Sequence, residues 1–340
     1  MSLPLLRTYA TTTVALLNGT FARLYPDLKT QRVDLSERNA IVTGSNVGLG
    51  LEAALELARM GARVILACRN QEKAQAAREQ ILEAVPKAQV EVWSIDTSDN
   101  DSVRAFADKW AKQEPASKRR LDILINNAGA LSNAKATSKQ GHEFTYATNV
   151  LGAFVLTLSL LRFMPENARV VWTSSIALLG AYPVRPDNLD DRAYLGSLRE
   201  GKRYPVTHAL QLYMNSKASM ALLSRVLAKR LKSRGIVSLA VNPGAVRTSI
   251  WRRPGYGDVS ISALGARWID VIGIRPQQGG QPLVFAAVDP SAAALSGQYL
   301  DRNVPRWMPW WHDDVANDDA VFAQVEKDAG ITLEQALKQK

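Results

Sequence analysis

Tyr213 and Lys217 stand four residues apart in Tyr213-Met214-Asn215-Ser216-Lys217. Residues at that spacing share one face of a helix. The surrounding stretch from Ala209 to Lys232 has no Gly or Pro, and Leu212, Ser216, Ser219, Leu223 and Val226 recur at roughly helical spacing, so a helix is expected there. A phenol titrates near ~10, and a lysine charge ~5 Å away at an effective dielectric of ~20 favours the phenolate by roughly 3 kcal/mol, or about two pK units. The expectation is a phenol brought toward the range of a useful acid or base near neutral pH. Taken alone, such a pair is more often a half-buried aromatic beside a solvated charge. What precedes it in the chain decides between the two readings.

Short β-rich apolar runs alternate with longer helical patterns along the chain. Strands are expected at Asn39–Thr43, Arg63–Ala67, Val90–Ile95, Leu121–Asn126, Arg169–Thr173, Ile236–Val241 and Gly297–Leu300. Helices are expected over Leu49–Arg59, Gln71–Ala84, Asn100–Gln113, Gly141–Phe163 and Ala209–Lys232, with another after Pro276. This alternation predicts an α/β fold of the Rossmann type, a doubly wound parallel sheet with helices on both faces. Such sheets bind ligands beyond the carboxyl ends of their strands. The expected division is an N-terminal extension over 1–34, one domain over 35–302 with loops at 176–208 and 249–275, and a C-terminal extension over 303–340. Long excursions of this kind are often lids or binding loops.

Directly after the first expected strand comes Thr43-Gly44-Ser45-Asn46-Val47-Gly48-Leu49-Gly50. Glycines let the backbone turn tightly and admit a pyrophosphate to the main chain, and the helix that follows presents free N–H groups and the positive end of its dipole. The strand before it and the helix after it supply the context that the motif requires. The second strand ends Ala67-Cys68-Arg69-Asn70, and no acid occurs from Gly61 to Gln71. NAD binders usually place an acid there for the ribose hydroxyls. Arg69 offers a cation where a 2′-phosphate would lie, which favours NADP(H) over NAD(H).

These residues resemble the short-chain dehydrogenase/reductase family. The loop Thr43 to Gly50 matches TGxxxGxG, Asn126-Asn127-Ala128-Gly129 matches NNAG, Thr173-Ser174-Ser175 ends the strand that carries the family's serine, Tyr213 and Lys217 match YxxxK, and Asn242-Pro243-Gly244 matches the PG motif. Within the family the chain is most similar to the retinol-dehydrogenase and WW-domain-oxidoreductase group, although no WW domain is evident. The resemblance implies that Tyr213 exchanges the proton, Lys217 lowers its pKa and bonds the nicotinamide ribose, and Ser175 bonds the substrate oxygen. It implies that Asn149 supports a relay water and Asp96 contacts adenine. It also places Gly44, Ser45, Asn46, Gly48, Leu49, Gly50, Arg69, Asn126, Gly129, Val246 and Thr248 along the cofactor. Ser174 adjoins Ser175, and strand alternation lets only one of the two face the cleft.

The chain has 340 residues, 46% apolar and 22% charged, as soluble globular proteins do. Cys68 is the single cysteine, which excludes an intrachain disulfide or a cysteine metal cluster. His142, His208 and His312 are far apart and read as structural or exposed, so no metal is expected. The net charge of +10 is spread in short runs such as Lys118-Arg119-Arg120, which suits an anionic cofactor or membrane surface and does not by itself indicate nucleic acid. Residues 1–26 hold no Asp or Glu, two arginines and several threonines. They read as a helix packed on the domain, with a transit peptide or an amphipathic helix in peripheral contact with a membrane as the competitors. A cytoplasmic, membrane-associable protein follows, with oligomerisation open.

The excursions and the tail carry Tyr182, Tyr194, Tyr204, Trp251, Tyr256, Trp268, Trp307, Trp310 and Trp311. A lid of this composition suits an apolar or aromatic carbonyl or alcohol, such as a polyketide, terpenoid, steroid-like compound or retinoid. Two rivals stay open: a non-catalytic NADP-binding regulatory or scaffold protein, and a reductase of carbon–carbon double bonds.

Overall fold

The computed structural model describes residues 27–132, 134, 136–197, 205–246, 273–306, 308–309 and 314–338. In chain order its main elements are β1 (Asn39–Thr43), α1 (Gly48–Arg59), β2 (Arg63–Cys68), α2 (Gln71–Ala84), β3 (Val90–Ser94), α3 (Asn100–Ala111) and β4 (Ile123–Asn126). A long helix, α4 (Phe144–Phe163), follows, then β5 (Arg169–Thr173), the short α5 (Arg192–Ser197), α6 (Val206–Arg230) and β6 (Val237–Asn242). The chain continues with α7 (Pro276–Val288), β7 (Tyr299–Asp301), β8 (Val304–Arg306), α8 (Val315–Ala329) and α9 (Leu333–Lys338).

The eight strands form one sheet in the order β3-β2-β1-β4-β5-β6-β7-β8, parallel except for the antiparallel β7–β8 pair. Every residue of β1, β2, β4 and β6 is buried, as expected of parallel strands covered on both faces. Alternation along β1 sends Ile41 into the core layer under α3, α4 and α6, and Ala40 and Val42 into the layer under α1, α2 and α7. The strand order reverses between β1 and β4, so the crevice of a doubly wound sheet opens beyond their carboxyl ends.

Several element bounds differ from the sequence expectation. The fourth strand begins at Ile123 rather than Leu121, and the seventh at Tyr299 rather than Gly297, which stands in a turn at φ +86°. The helix expected from Gly141 begins at Phe144, where Glu143 accepts hydrogen bonds from the amides of Thr145 and Tyr146, both at 2.8 Å, and caps it. One π turn, Ala147–Leu151, interrupts this helix. Phe144–Phe163 is long and apolar enough to span a membrane, but 94% of that window is buried inside the protein. It is the central core helix. The tail also contributes more than loop: β8 adds an edge strand, and α8 packs Val321, Phe322 and Val325 into the core beside α4 and α6. Residues 1–26 of the N-terminal extension, Thr248 and nearly all of the 249–275 loop lie outside the described residues, as do Tyr204, Trp251, Tyr256, Trp268, Trp307, Trp310 and Trp311.

Candidate active site

At the carboxyl end of β1 the main chain turns through Gly44 at φ +63° and enters α1 at Gly48, φ +61°, both left-handed conformations that favour glycine. A Cβ on Gly50 would lie 2.5 Å from Asn127 Nδ2 and 2.6 Å from the Gly44 carbonyl, so only glycine lets the helix sit this close. Val47 precedes α1 in an extended conformation without a side-chain cap, and among the described residues no side chain accepts from the first amides of the helix. An uncapped helix start behind such a loop is suited to a pyrophosphate.

Asn127, a residue the sequence reading did not single out, holds this loop. Its Nδ2 donates to the carbonyls of Thr43 at 2.9 Å and Gly44 at 3.2 Å. The amides of Asn127 and Ala128 both donate to Thr43 Oγ1 at 2.9 Å. The ends of β1 and β4 are thereby tied together. Asn126 turns the other way, is buried, and donates to Thr157 Oγ1 on α4 at 3.0 Å. Ser45 is also buried: its hydroxyl donates to the Val42 carbonyl at 2.8 Å and meets Cys68 Sγ at 3.5 Å, so only its main chain faces the loop. Asn46 and Leu49 are half-buried, and Leu49 packs against Val246 and Ile274.

Arg69 follows β2 with its side chain half exposed and pairs with Asp96 Oδ2 at 3.6 Å. The other oxygen of Asp96 accepts from the amide and hydroxyl of Ser98 at 2.9 and 2.6 Å. The loop after β3 is overlain by α4 at Gly152, where a Cβ would fall 1.9 Å from the Thr97 carbonyl. The π turn brings Asn149 inward, and its amide group is fully engaged. Oδ1 accepts from the Ala130 amide at 2.7 Å, and Nδ2 donates to the Ala130 carbonyl at 3.0 Å and to Ser216 Oγ at 2.9 Å. As a side chain it is a strut between the loop after β4 and α6. Gly129 leaves room beside it, since a Cβ there would stand 3.4 Å from both Asn149 Oδ1 and Lys217 Nζ.

Ser174 is buried and donates to the Lys217 carbonyl at 2.8 Å. Ser175 is half-buried, accepts from the Ala177 amide at 3.1 Å, and is hydrogen-bonded to Tyr213. Strand alternation thus puts Ser175 beside the phenol. Lys217 Nζ donates to the Thr173 carbonyl at 2.7 Å and lies 5.5 Å from the centre of the Tyr213 ring. Asn242 supports this corner. Its Oδ1 accepts from the amides of Ile176 and Gly244, both at 3.1 Å, and its Nδ2 donates to the buried Asp301 at 2.9 Å.

The electrostatics correct one expectation. Burial pushes Tyr213 up to about 12, with its Ser175 hydrogen bond pulling the other way, and burial pushes Lys217 down to about 7. The simple Coulomb argument took the lysine charge as given. Inside the protein, desolvation acts against the charged form of both partners. The phenol therefore keeps its proton at neutral pH and stands as a proton donor.

The residues fit a nicotinamide dinucleotide: an uncapped helix start behind left-handed glycines, an arginine after β2, and a glycine facing Lys217 and Asn149. A model of the short chain dehydrogenase family matches residues 38–186. The chain is similar to retinol dehydrogenase 12 of Mus musculus, 35% identical over 281 residues that make up 82% of this chain and 82% of that protein. Among solved structures it is similar to an uncharacterized protein from Mycobacterium paratuberculosis, with a TM-score of 0.64 and 27% identity, covering 88% of this chain and 96% of that one. It also shares its fold with a short chain dehydrogenase from Burkholderia cenocepacia in complex with NADP, with a TM-score of 0.58 and 24% identity, covering 79% and 97%. Together with the Ser175, Tyr213 and Lys217 corner, these likenesses show that the chain belongs to the short-chain dehydrogenase family of oxidoreductases.

Proposed function

We propose that this protein is an NADP(H)-dependent oxidoreductase that interconverts a carbonyl and an alcohol on an apolar small molecule, with a retinoid aldehyde as the first candidate. The observation that carries the reading is the corner in which Ser175 and Tyr213 share a hydrogen bond while Lys217 lies behind the phenol ring. When bound, a reduced nicotinamide supplies the hydride. Tyr213 gives its hydroxyl proton to the carbonyl oxygen, and the Ser175 hydroxyl bonds the same oxygen as negative charge develops there. Lys217 Nζ and the strut Asn149 bracket Gly129, where the nicotinamide ribose would be held. Val246, beside Leu49, would line the nicotinamide face, and Thr248 would follow it.

Arg69 supports NADP(H), since it is the cation after β2 in a stretch without acids, and the Burkholderia relative of the same fold holds NADP. A 2′-phosphate would displace Asp96 from Arg69 and leave that acid for the adenine. The retinol dehydrogenase likeness supports an apolar substrate, as does the apolar character of Leu49, Val246 and Met214 around the corner.

The test is reduction of all-trans-retinal with NADPH and with NADH, the alcohol being identified by chromatography. Retinol formation with a preference for NADPH is expected. Arg69→Ala should weaken NADPH binding by about 2 kcal/mol, roughly thirtyfold, and leave NADH nearly unchanged. A native preference for NADH would overturn the role given to Arg69. NADPH binding without turnover on a broad panel of carbonyls and alcohols would favour a scaffold role.

A further inference from the structure

The segment that leaves Ser175 returns to the catalytic tyrosine. Gly180 packs against Met214, its carbonyl accepts from Gln211 Nε2 at 3.3 Å, and the Tyr182 amide donates to Asn215 Oδ1 at 3.1 Å. Residues 180–182 therefore form a wall along the stretch of α6 that carries Tyr213, with Tyr182 62% exposed. Beyond the wall the segment turns inward, with Val184 and Leu189 buried, and reaches a group of polar side chains contributed by three parts of the chain.

Asp190 is the centre of that group. Its Oδ2 meets His142 Nδ1 and Arg192 Nε, both at 2.6 Å, and its Oδ1 accepts from the Glu143 amide at 2.9 Å. Asp328 on α8 lies 3.8 Å from Arg192 Nη2 and accepts from Tyr146 on α4 at 2.9 Å and from Gln324 at 2.9 Å. His142, Asp190 and Asp328 have the ligand types of a metal site, but their atoms are already paired with Arg192, Tyr146, Gln324 and one another. At its other end α8 meets the wall segment directly, where Asn317 Nδ2 donates to the Val184 carbonyl at 2.7 Å.

We propose that α8, in the tail of the chain, sets the position of segment 181–192 and hence the opening beside Tyr213 that admits bulky substrates, with Asn317 and Asp328 as its positioning residues. Asn317 and Asp328 bond Val184, Tyr146, Gln324 and Arg192, so their effect passes through the wall. A short aldehyde that needs only the corner should be insensitive to it, whereas a long, rigid one that must lie along the wall should not.

This inference rests on the carbonyl reductase reading, and two independent measurements separate the fates of the two. Hydrogen exchange on the full chain follows the amides of 181–192 against those of 39–50. Asn317→Ala and Asp328→Asn should speed exchange in 181–192 by about tenfold and leave 39–50 unchanged. Steady-state kinetics with NADPH then compares all-trans-retinal with hexanal. The variants should raise KM for retinal about fivefold or more while kcat, KM for hexanal and the dissociation constant of NADPH stay within about twofold. Asn317→Asp, which keeps the volume and loses the donor, should behave as Asn317→Ala does. Unchanged exchange in 181–192, faster exchange in 39–50 as well, or equal shifts for the two aldehydes would each overturn the proposal. If the native protein reduces neither aldehyde, the substrate reading fails and the exchange measurement alone decides the brace.

Discussion

At the residue scale, the proposed chemistry turns on two buried groups whose charged forms burial disfavours. Tyr213 is pushed up to about 12 and Lys217 down to about 7, in both cases by burial. Tyr213→Phe removes the transferable proton and leaves the packing, so kcat for carbonyl reduction should fall about 10³-fold while NADPH titration is unchanged. Turnover at the native rate in that variant would sink the role of Tyr213. Lys217 makes a separate, thermodynamic prediction. Its folded pKa lies below the ordinary 10.5, so the unfolded chain binds more protons between about 7 and 10.5, and stability rises with pH across that window. Lys217→Met, which has no charge to bury, should therefore gain a few kcal/mol over the native chain at pH 7 and below. Urea denaturation should show this gain shrinking toward pH 10.5. A constant difference across that range would mean that Lys217 keeps its ordinary 10.5 in the folded chain. The motif identified both residues in the sequence, but the direction of their pKa shifts was not legible there. Spacing along a helix reveals a neighbour, whereas desolvation depends on Thr173, Met220 and the sheet packed around them.

At the scale of elements, the helices and strands that carry the site were legible because parallel strands are continuous apolar runs and their helices begin and end at recognisable caps. Asn70 and Asp99 accept hydrogen bonds from Lys73 and Asp101 at the starts of α2 and α3, as their residue types predict. The π turn in α4 was not legible, since nothing in Ala147-Thr148-Asn149-Val150-Leu151 departs from an ordinary helix pattern. Its cause is tertiary: Asn149 must reach both Ala130 and Ser216, while Gly152 passes under the Thr97 carbonyl. Gly152→Ala tests this. In an isolated helix the change should stabilise by about 1 kcal/mol. Here the new methyl group would meet backbone, so a loss of about 3 kcal/mol in urea denaturation is expected. NADPH affinity should fall with it, because the displaced loop carries Asp96. A gain in stability would show that α4 can move away from the loop without cost.

At the scale of the whole molecule, the question is whether residues 303–340 are an appendage or part of the cooperative unit. The Trp-rich stretch before α8 offered no strand pattern. The groups that anchor α8 come from positions far apart in the chain, so no local spacing announced them. In the structure Phe322 is fully buried, with its ring centre 5.3 Å from that of Phe154 on the central helix α4. Asp318 takes Arg225 of α6 at 2.6 and 2.7 Å, and Arg104 of α3 donates to the Ala329 carbonyl at 2.6 Å. Three helices of one core layer thus end on α8. Removing the Phe322 ring leaves a cavity against α4, so Phe322→Ala should cost about 4 kcal/mol. If the tail belongs to the same cooperative unit, the urea midpoint falls with an unchanged slope, and tryptophan fluorescence and NADPH binding are lost in one coincident transition. If α8 is an appendage, the variant instead unfolds in two steps, with the tail lost first and cofactor binding retained. The first outcome makes the C-terminal helix part of the scaffold that holds Tyr213 in place, because α6 carries both Tyr213 and the arginine that grips Asp318.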